Sequence, residues 1–338
     1  MVDVFERGGN EILGLIKEGH YYVIHAARQS GKTTLLWELA DRINAEGEYY
    51  ALYCSMETLQ EFKEHEKGLP EIVRKIEAYT KQQGLPEGFA KNADYNFISG
   101  VLNSALSDYC RSLDKPLVIF FDEADCLSNG TLITFLRQLR EGFISRARVP
   151  FVHSIALVGM RNIRDYKAQV RPENQTLGTA SPFNIVTETL TLPVFTPREV
   201  TELYAQHTKD TGQIFEPPVI DYILEQSNGQ PWLVNAIVRE VIVKLLKNDY
   251  SKPITKELAE TAIQNLILNR PAHFDSLLER LKEPRIRKVI EPLVTGTETV
   301  PASSDDYLFA RDLGLIKEKK GQPVVPANPI YAEIIVKF

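Results

Sequence analysis

The residues with the clearest capacity for chemistry lie at positions 26–33, in the order Ala-Ala-Arg-Gln-Ser-Gly-Lys-Thr. This order matches the phosphate-binding pattern G-x-x-x-x-G-K-[ST], except that Ala26 replaces the first glycine. In such a loop, backbone N–H groups point at a polyphosphate, Lys32 reaches its terminal phosphates and Thr33 offers a hydroxyl to Mg²⁺. The residues expected to bind the polyphosphate of a nucleotide are Ala27, Arg28, Gln29, Ser30, Gly31, Lys32, Thr33 and Thr34.

The alanine at position 26 restricts one corner of this loop. Alanine rarely adopts a positive φ, so the corner has to turn with a negative φ or accept strain. Gly31 supplies the second glycine, which allows the closest backbone approach to a phosphate. The alternative is a chance Gly-Lys-Thr at the start of a helix. The strand-like Tyr21–His25 before the loop and the helical periodicity of Thr33–Arg42 after it favour nucleotide binding.

A second candidate segment ends in two carboxylates. Leu117–Phe121 is a continuous apolar run, typical of a parallel strand buried on both faces, and Asp122 and Glu123 follow it. Ligands bind at the carboxyl ends of strands in open α/β sheets, so Asp122 is expected to hold Mg²⁺. Glu123 is the candidate to orient or deprotonate an attacking water. The alternative is an ordinary acidic turn, which the phosphate-binding loop upstream argues against.

The segments around these residues predict an α/β fold over residues 1–192. Two further strand-like segments, Tyr49–Cys54 and Val152–Val158, alternate with helical ones such as Thr131–Ser145. This alternation is typical of a doubly wound parallel sheet, which would bring the two candidate segments to the same edge.

Residues 193–266 predict a compact helical domain, of the size of a lid over a nucleotide. Thr196-Pro197-Arg198-Glu199 has the residues of a capping box, with proline at the first helical position. Helical periodicity continues through Val219–Gln226 and Leu233–Leu246. Between these helices, Gly229 suits the position after a helix end, and Pro231 suits the start of the next helix.

Residues 267–338 predict a winged-helix-like domain. Helical segments at His273–Leu281, Arg285–Thr295 and Asp305–Leu313 precede a possible strand–turn–strand over residues 315–327. Such a module can place a helix in the DNA major groove. The expected recognition helix carries Asp305, Asp306 and Asp312, which repel DNA, whereas Lys317, Lys319 and Lys320 favour it. Binding to DNA and binding to protein therefore both remain open.

Composition and charge exclude several classes of protein. The 338 residues include 39 basic and 45 acidic ones, a net charge of −6, which argues against a broad nucleic-acid-coating surface. Three widely spaced cysteines offer neither a disulfide framework nor a zinc site and suit a reducing compartment. The apolar runs are too short to span a bilayer. We expect a cytoplasmic protein with no membrane contact.

Several motifs together resemble those of AAA-like, STAND-type ATP-binding proteins, relatives of archaeal ATPases and origin-recognition ATPases. The resemblance covers almost the whole chain. The matching segments are His25–Thr34, Phe120–Glu123, Gly159–Arg161 with Asp165-Tyr166, Ser181–Asn184, Gly229–Pro231, Asp312–Leu315 and Ala327–Tyr331. The resemblance implies a P-loop NTPase core of the additional-strand type with a helical lid and a winged-helix-like domain. It also implies a nucleotide-driven switch, often in signalling or defence.

The resemblance also assigns roles to residues outside the two central segments. Pro231 or its turn would contact the nucleotide near the base or ribose. Arg161 would act as a sensor of the γ-phosphate. Asn162 is the alternative for this role, and an ordinary solvated loop explains these residues equally well. Candidates for an arginine finger directed at a neighbouring subunit are Arg137, Arg140, Arg146 and Arg148, although a solvated helix face explains them more simply.

Three functions are consistent with these observations. The first is an Mg²⁺-dependent ATPase that acts as a switch and works through a homo-oligomer or an effector protein. The second is an ATP-gated DNA-binding module with slow or incidental hydrolysis. The third is a small-molecule kinase, which the helical and winged segments argue against.

Overall fold

The structure is a computed structural model that describes residues 5–127, 129–159, 186–295, 304–318 and 323–337. The chain divides into two compact units. The sheet unit contains Val4–Ala26 and Lys32–Leu192. The helical unit contains Ala27–Gly31 and Pro193–Phe338.

The sheet unit is built on a parallel sheet that has five strands in the described residues. The strands are β1 (Tyr21–His25), β2 (Tyr50–Ser55), β3 (Leu117–Asp122), β4 (Ser154–Gly159) and β5 (Val186–Thr191). They lie in the order β2-β3-β4-β1-β5, and all the pairs are parallel. Every residue of β1, β3 and β4 is buried, as their apolar composition predicts. The predicted parallel α/β sheet is confirmed.

Helices cover both faces of this sheet. On one face, α1 (Asn10–Lys17) and α2 (Lys32–Glu46) pack on strand residues such as Ile24 and Phe120. On the other face, α3 (His65–Gln82), α4 (Val101–Ser112) and α5 (Asn129–Ser145) pack on residues such as Val23 and Ile119. Because successive side chains of a strand point to opposite faces, neighbouring residues enter different cores. Short helical turns lie at Phe5–Gly9, Glu57–Leu59 and Ala124–Cys126.

The helical unit has one continuous hydrophobic core among its described residues. Its helices are α6 (Pro197–Thr211), α7 (Pro217–Ser227), α8 (Pro231–Arg239), α9 (Lys256–Asn269), α10 (Ala272–Leu281), α11 (Pro284–Thr295), α12 (Asp305–Asp312) and α13 (Pro329–Lys337), with a π-helical turn at Glu240–Leu245. Two short strands, β6 (Ile316–Lys317) and β7 (Val325–Pro326), pair antiparallel between α12 and α13. The division into a lid, 193–266, and a winged domain, 267–338, stays a prediction.

The local signals that begin two of these helices are confirmed. The Thr196 hydroxyl accepts from Glu199 N at 3.2 Å, and Glu199 Oε2 accepts from Thr196 N at 2.6 Å, which completes the capping box of α6. Gly229 follows the left-handed Asn228 at the end of α7, and Pro231 is the first residue of α8.

No helix in the described parts of the chain is both long and apolar enough to cross a membrane.

Candidate functional site

The phosphate-binding loop joins β1 to α2. Lys32 is the first residue of α2, is 5% exposed, and donates from Nζ to the Ala26 carbonyl oxygen at 3.0 Å. Gln29 and Gly31 have positive φ values of 57° and 83°. Ala26 does not have a positive φ, and its N–H donates to the Gly159 carbonyl at 3.2 Å. The corner that lacks glycine therefore needs no left-handed backbone.

The two candidate segments meet at Asp122. Thr33 Oγ1 donates to Asp122 Oδ2 at 2.7 Å, and Tyr53 donates from its hydroxyl to the same oxygen at 3.0 Å. The other oxygen, Oδ1, accepts from Glu123 N at 3.0 Å. Asp122 is only 1% exposed, so these bonds replace the hydrogen bonds that a solvent-exposed carboxyl group makes with water. The structure thus brings together the two residues predicted to hold magnesium.

The donor atoms at this point fit Mg²⁺. The Thr33 hydroxyl and the Asp122 carboxylate are oxygen donors held within hydrogen-bond distance of each other. Magnesium prefers oxygen ligands and is usually bound through one or two carboxylates together with substrate phosphates. Thr33 and Asp122 would supply the protein part of such a set.

Glu123 lies directly beyond β3, in a left-handed conformation with φ 53°. Its carboxyl group is only partly exposed. Burial raises the pKa of Glu123 above its usual value, and the negative charges of Asp125, Asp122 and Glu57 act in the same direction, whereas Lys32 lowers it. A raised pKa makes the ionised form a stronger base, which suits the role predicted for this residue.

Asp125 and Cys126 lie beside Glu123 and were not recognised from the sequence. One ligand atom from each of these three residues lies within 4.8 Å of the others. Asp125 also packs against the end of β4, since a Cβ atom added to Gly159 would lie 2.5 Å from Asp125 Oδ1. Burial, followed by the charge of Asp125, raises the pKa of Cys126 to about 12, so its thiol stays protonated at neutral pH.

The other predicted nucleotide-binding residues lie in the loop and the first turn of α2. Ser30 is buried, whereas Arg28, Gln29 and Thr34 are exposed. Within the helical unit, to which Ala27–Gly31 belongs, Arg28 Nη1 donates to Ser276 Oγ of α10 at 2.9 Å.

The remaining candidates are placed differently. The side chain of Gln230 caps α8 by accepting from Leu233 N at 2.6 Å, which fixes Pro231 at the helix start. Contact between Pro231 and a nucleotide stays a prediction.

Arg161 and Asn162 lie outside the described residues. Arg146 donates to the carbonyls of Gly19 at 2.7 Å and His153 at 3.2 Å, and its role as an arginine finger stays untested.

Tyr53 is the site residue that sequence reasoning missed most clearly. Tyr53 is 4% exposed and lies on β2, which pairs with β3 so that Tyr53 is opposite Phe120. A tyrosine on a predicted strand usually belongs to the core, so its type alone gave no signal. Parallel pairing of β2 with β3 places Tyr53 and Asp122 on the same face, and the local sequence does not identify this pairing.

Three solved structures match this chain over nearly its full length. The Walker-type ATPase of Pyrococcus abyssi has a TM-score of 0.67 and 14% identity, over 99% of this chain and 96% of its own. ORC2 of Aeropyrum pernix, solved as ADPNP–ADP complexes, has a TM-score of 0.49 and 16% identity, over 98% of this chain and 93% of its own. The RuvB Holliday junction branch migration motor of Thermotoga maritima has a TM-score of 0.46 and 14% identity, over 99% of this chain and 94% of its own.

The first of these similarities supports the fold, and identities this low say nothing more about this chain. The parallel sheet with helices on both faces is the fold of P-loop NTPases. None of the curated proteins matches the chain. The family described as an AAA-like domain matches residues 10–336, nearly the full length, and the protein therefore belongs to the AAA-like domain family.

Proposed function

We propose that the protein is an Mg²⁺-dependent ATPase whose nucleotide state drives a conformational switch. The observation that carries this proposal is the 2.7 Å hydrogen bond between Thr33 Oγ1 and Asp122 Oδ2. It joins the first turn of α2 to the carboxyl end of β3, directly beside a partly buried glutamate. A loop that binds polyphosphate, an oxygen ligand set and a base with a raised pKa are the parts that phosphate transfer to water requires.

Lys32 supplies the positive charge for the phosphates. Its side chain is buried, and its Nζ donates a hydrogen bond to the carbonyl oxygen of Ala26, the residue at which the loop begins. A cation in such a place stabilises charge on the terminal phosphate as it leaves, because a site closed to water screens that charge weakly. Mg²⁺, when bound by Thr33 and Asp122, would neutralise further charge on the phosphate oxygens.

Glu123 accepts the proton of the attacking water. Its pKa is raised by burial and by Asp125, so its carboxylate is more basic than that of a solvated glutamate. A base is more effective when its pKa approaches the working pH, provided that it is still ionised there. The proton moves from water to the Glu123 carboxylate as the water oxygen attacks the terminal phosphorus. The bond between that phosphorus and the bridging oxygen breaks, and ADP leaves with the electron pair.

The test of this function compares the parent protein with two variants. Lys32→Ala is expected to lose nucleotide binding. Glu123→Gln is expected to bind ATP with parent-like affinity and to hydrolyse it at least about 100-fold more slowly, in the range seen when general-base catalysis is lost. Fluorescent-nucleotide titration measures binding, and phosphate release measures hydrolysis. Equal hydrolysis rates for Glu123→Gln and the parent would remove Glu123 from the mechanism.

The wider role, its partners and the cellular location also belong to this proposal. The resemblance in sequence motifs supports a switch in signalling or defence, with Arg161 as a sensor and Pro231 at the base or ribose. We propose that the output passes through a homo-oligomer or an effector protein, in the cytoplasm. Size measurement with and without ATP tests the first of these partners.

A second candidate function is an ATP-gated DNA-binding module. The observation that favours it is the order of α11, α12 and the β6–β7 ribbon, which resembles a winged helix. Asp306, an acidic residue of α12, is paired with Arg285 at 3.0 Å and Lys288 at 3.5 Å, which reduces its repulsion of phosphates. Lys317 of the ribbon donates from Nζ to Asn228 Oδ1 at 3.0 Å, so one of its hydrogen bonds is already made within the protein.

DNA affinity measured against salt concentration decides between the two functions. A real phosphate footprint gives a steep fall in affinity with rising salt, and ATP gating changes the affinity at each salt concentration. A flat or absent response rejects DNA binding and leaves the ATPase switch.

A further inference from the structure

Tyr53 is the third group that holds the Asp122 carboxylate. Its hydroxyl donates to Asp122 Oδ2 at 3.0 Å, the same oxygen to which Thr33 donates at 2.7 Å. Thr33 belongs to the first turn of α2, whereas Tyr53 belongs to a strand of the sheet. Asp122 is therefore fixed from two separate elements.

The pairing of β2 with β3 explains why a tyrosine at position 53 reaches this carboxylate. Tyr53 lies opposite Phe120, and Ser55 lies opposite Asp122. Tyr53 is thus on the same face as Asp122 but one pleat earlier along the strands. The diagonal spacing of about 7–8 Å between such positions suits an aromatic side chain that leans along the strand.

The backbone of Tyr53 is fixed by a side chain that acts like a neighbouring strand. Among the described strands, β2 lies at this edge of the sheet. Gln83 accepts from Tyr53 N at 3.0 Å and donates from Nε2 to the Tyr53 carbonyl at 2.7 Å. Both backbone groups that an edge strand leaves open are therefore satisfied at this residue.

The ring of Tyr53 is fixed by two aromatic neighbours. Trp37 of α2 lies against it with ring centroids 4.5 Å apart, and Tyr79 of α3 meets it edge-on at 5.8 Å. Burial, followed by the negative charge of Asp122, raises the pKa of Tyr53 well above its usual value. The two ring contacts hold the hydroxyl in place beside Asp122 Oδ2, 3.0 Å away.

We propose that Tyr53 is a positioning residue that holds Asp122 in the orientation required for Mg²⁺ binding. The inference rests on the proposed function, because it assigns the metal of that same site to Asp122. Partners of this kind, which orient a metal ligand without touching the metal, typically change metal affinity by about 10-fold or more when they are removed.

The experiment measures magnesium binding in the Tyr53→Phe variant. This change removes one oxygen and keeps the ring contacts, so the variant is expected to fold. The matched control is Tyr109→Phe, because Tyr109 is also buried and donates to the Pro86 carbonyl at 2.7 Å, in the other core of the sheet unit. Thermal unfolding compares the folding of both variants with that of the parent.

Two titrations give the readout. The first measures fluorescent ATP binding in EDTA, and the second measures the Mg²⁺ concentration that half-saturates the change in fluorescence. We expect Tyr53→Phe to raise that concentration about 10-fold, to leave ATP affinity in EDTA within about 2-fold, and to differ from Tyr109→Phe. The same Mg²⁺ half-saturation in Tyr53→Phe and the parent would overturn the role of Tyr53.

The same experiment separates this inference from the proposed function. A parent protein that binds no ATP, with or without Mg²⁺, overturns both. A parent that binds ATP with Mg²⁺, together with a Tyr53→Phe variant that behaves identically, overturns the inference alone. A general loss of stability cannot imitate the expected result, because it would lower ATP affinity in EDTA as well.

Discussion

The side chains of His273 and Tyr331 meet inside the helical unit, with His273 Nε2 2.6 Å from the Tyr331 hydroxyl. His273 is 6% exposed, and its ring stacks on Trp232 with centroids 4.2 Å apart. Burial, followed by the positive charge of Arg28, lowers the pKa of His273 to about 4. The folded protein therefore holds a neutral histidine where an unfolded chain would have one that titrates near pH 6.5.

This difference makes the stability of the helical unit depend on pH. Between pH 6.5 and pH 4 the unfolded chain binds a proton at His273 that the folded chain does not, so stability falls as the pH falls. The contribution is about 3 kcal/mol over this interval. We expect His273→Gln to weaken the dependence of the unfolding free energy on pH relative to the parent. Urea denaturation at several pH values measures it, and parallel curves for the two proteins would contradict the prediction.

Gly229 is required by its surroundings as well as by its backbone. Its φ is +71°, and a Cβ atom there would lie 2.1 Å from the Phe195 carbonyl oxygen. Phe195 cannot move away freely, because its N–H donates to the Gly229 carbonyl at 2.8 Å. We expect Gly229→Ala to destabilise the helical unit by about 3 kcal/mol, from strain and displacement together.

Gly212 offers a matched control for this substitution. Its φ is +77°, and nothing lies within 4 Å of a Cβ atom built on it. Gly212→Ala therefore carries only the left-handed strain, about 1 kcal/mol. Chemical denaturation of the two variants separates the cost of backbone strain from the cost of displacing the Phe195 carbonyl. An equal loss of unfolding free energy in both variants would show that the Phe195 carbonyl moves aside without an energetic cost.

Local signals with a single physical cause predicted their part of the fold. Thr196 and Glu199 form the expected capping box because both partners lie within one turn of helix. The apolar run before Asp122 forms the expected buried strand, which follows from the need of a parallel sheet for apolar residues on both faces. These features depend on nearby residues, and no tertiary information is needed to infer them.

Features that depend on distant pairing were not predicted. The strand β5, Val186–Thr191, is mostly exposed and lies beside β1 at the edge of the sheet that the described strands form, so it lacks the apolar run of the other strands. The hydrogen bond between Tyr53 and Asp122 joins residues 69 positions apart, and it follows only once β2 is paired with β3. In both cases the deciding contact is the neighbouring strand, which the local sequence does not identify.

Thr33 is expected to act through its hydroxyl, since that group donates to Asp122 and is the candidate ligand for Mg²⁺. Thr33→Ala should weaken Mg²⁺-dependent ATP binding about 10-fold, whereas Thr33→Ser, which keeps the hydroxyl, should stay within about 3-fold of the parent. Nucleotide titration at saturating and at chelated Mg²⁺ measures the effect. If the serine variant loses as much as the alanine variant, the methyl group rather than the hydroxyl is responsible.

Ala26 is expected to fit its position better than the glycine of the general motif. Its φ is not positive, its side chain is 2% exposed in the core beneath α2, and its carbonyl accepts from Lys32. Glycine would remove a buried methyl group and add freedom to the unfolded chain, at a cost of about 1 kcal/mol. We therefore expect Ala26→Gly to lower the unfolding free energy by about that amount without raising ATP turnover. Denaturation and phosphate-release measurements check the two parts. A turnover that rises about fivefold or more would show that the alanine restrains the loop during hydrolysis.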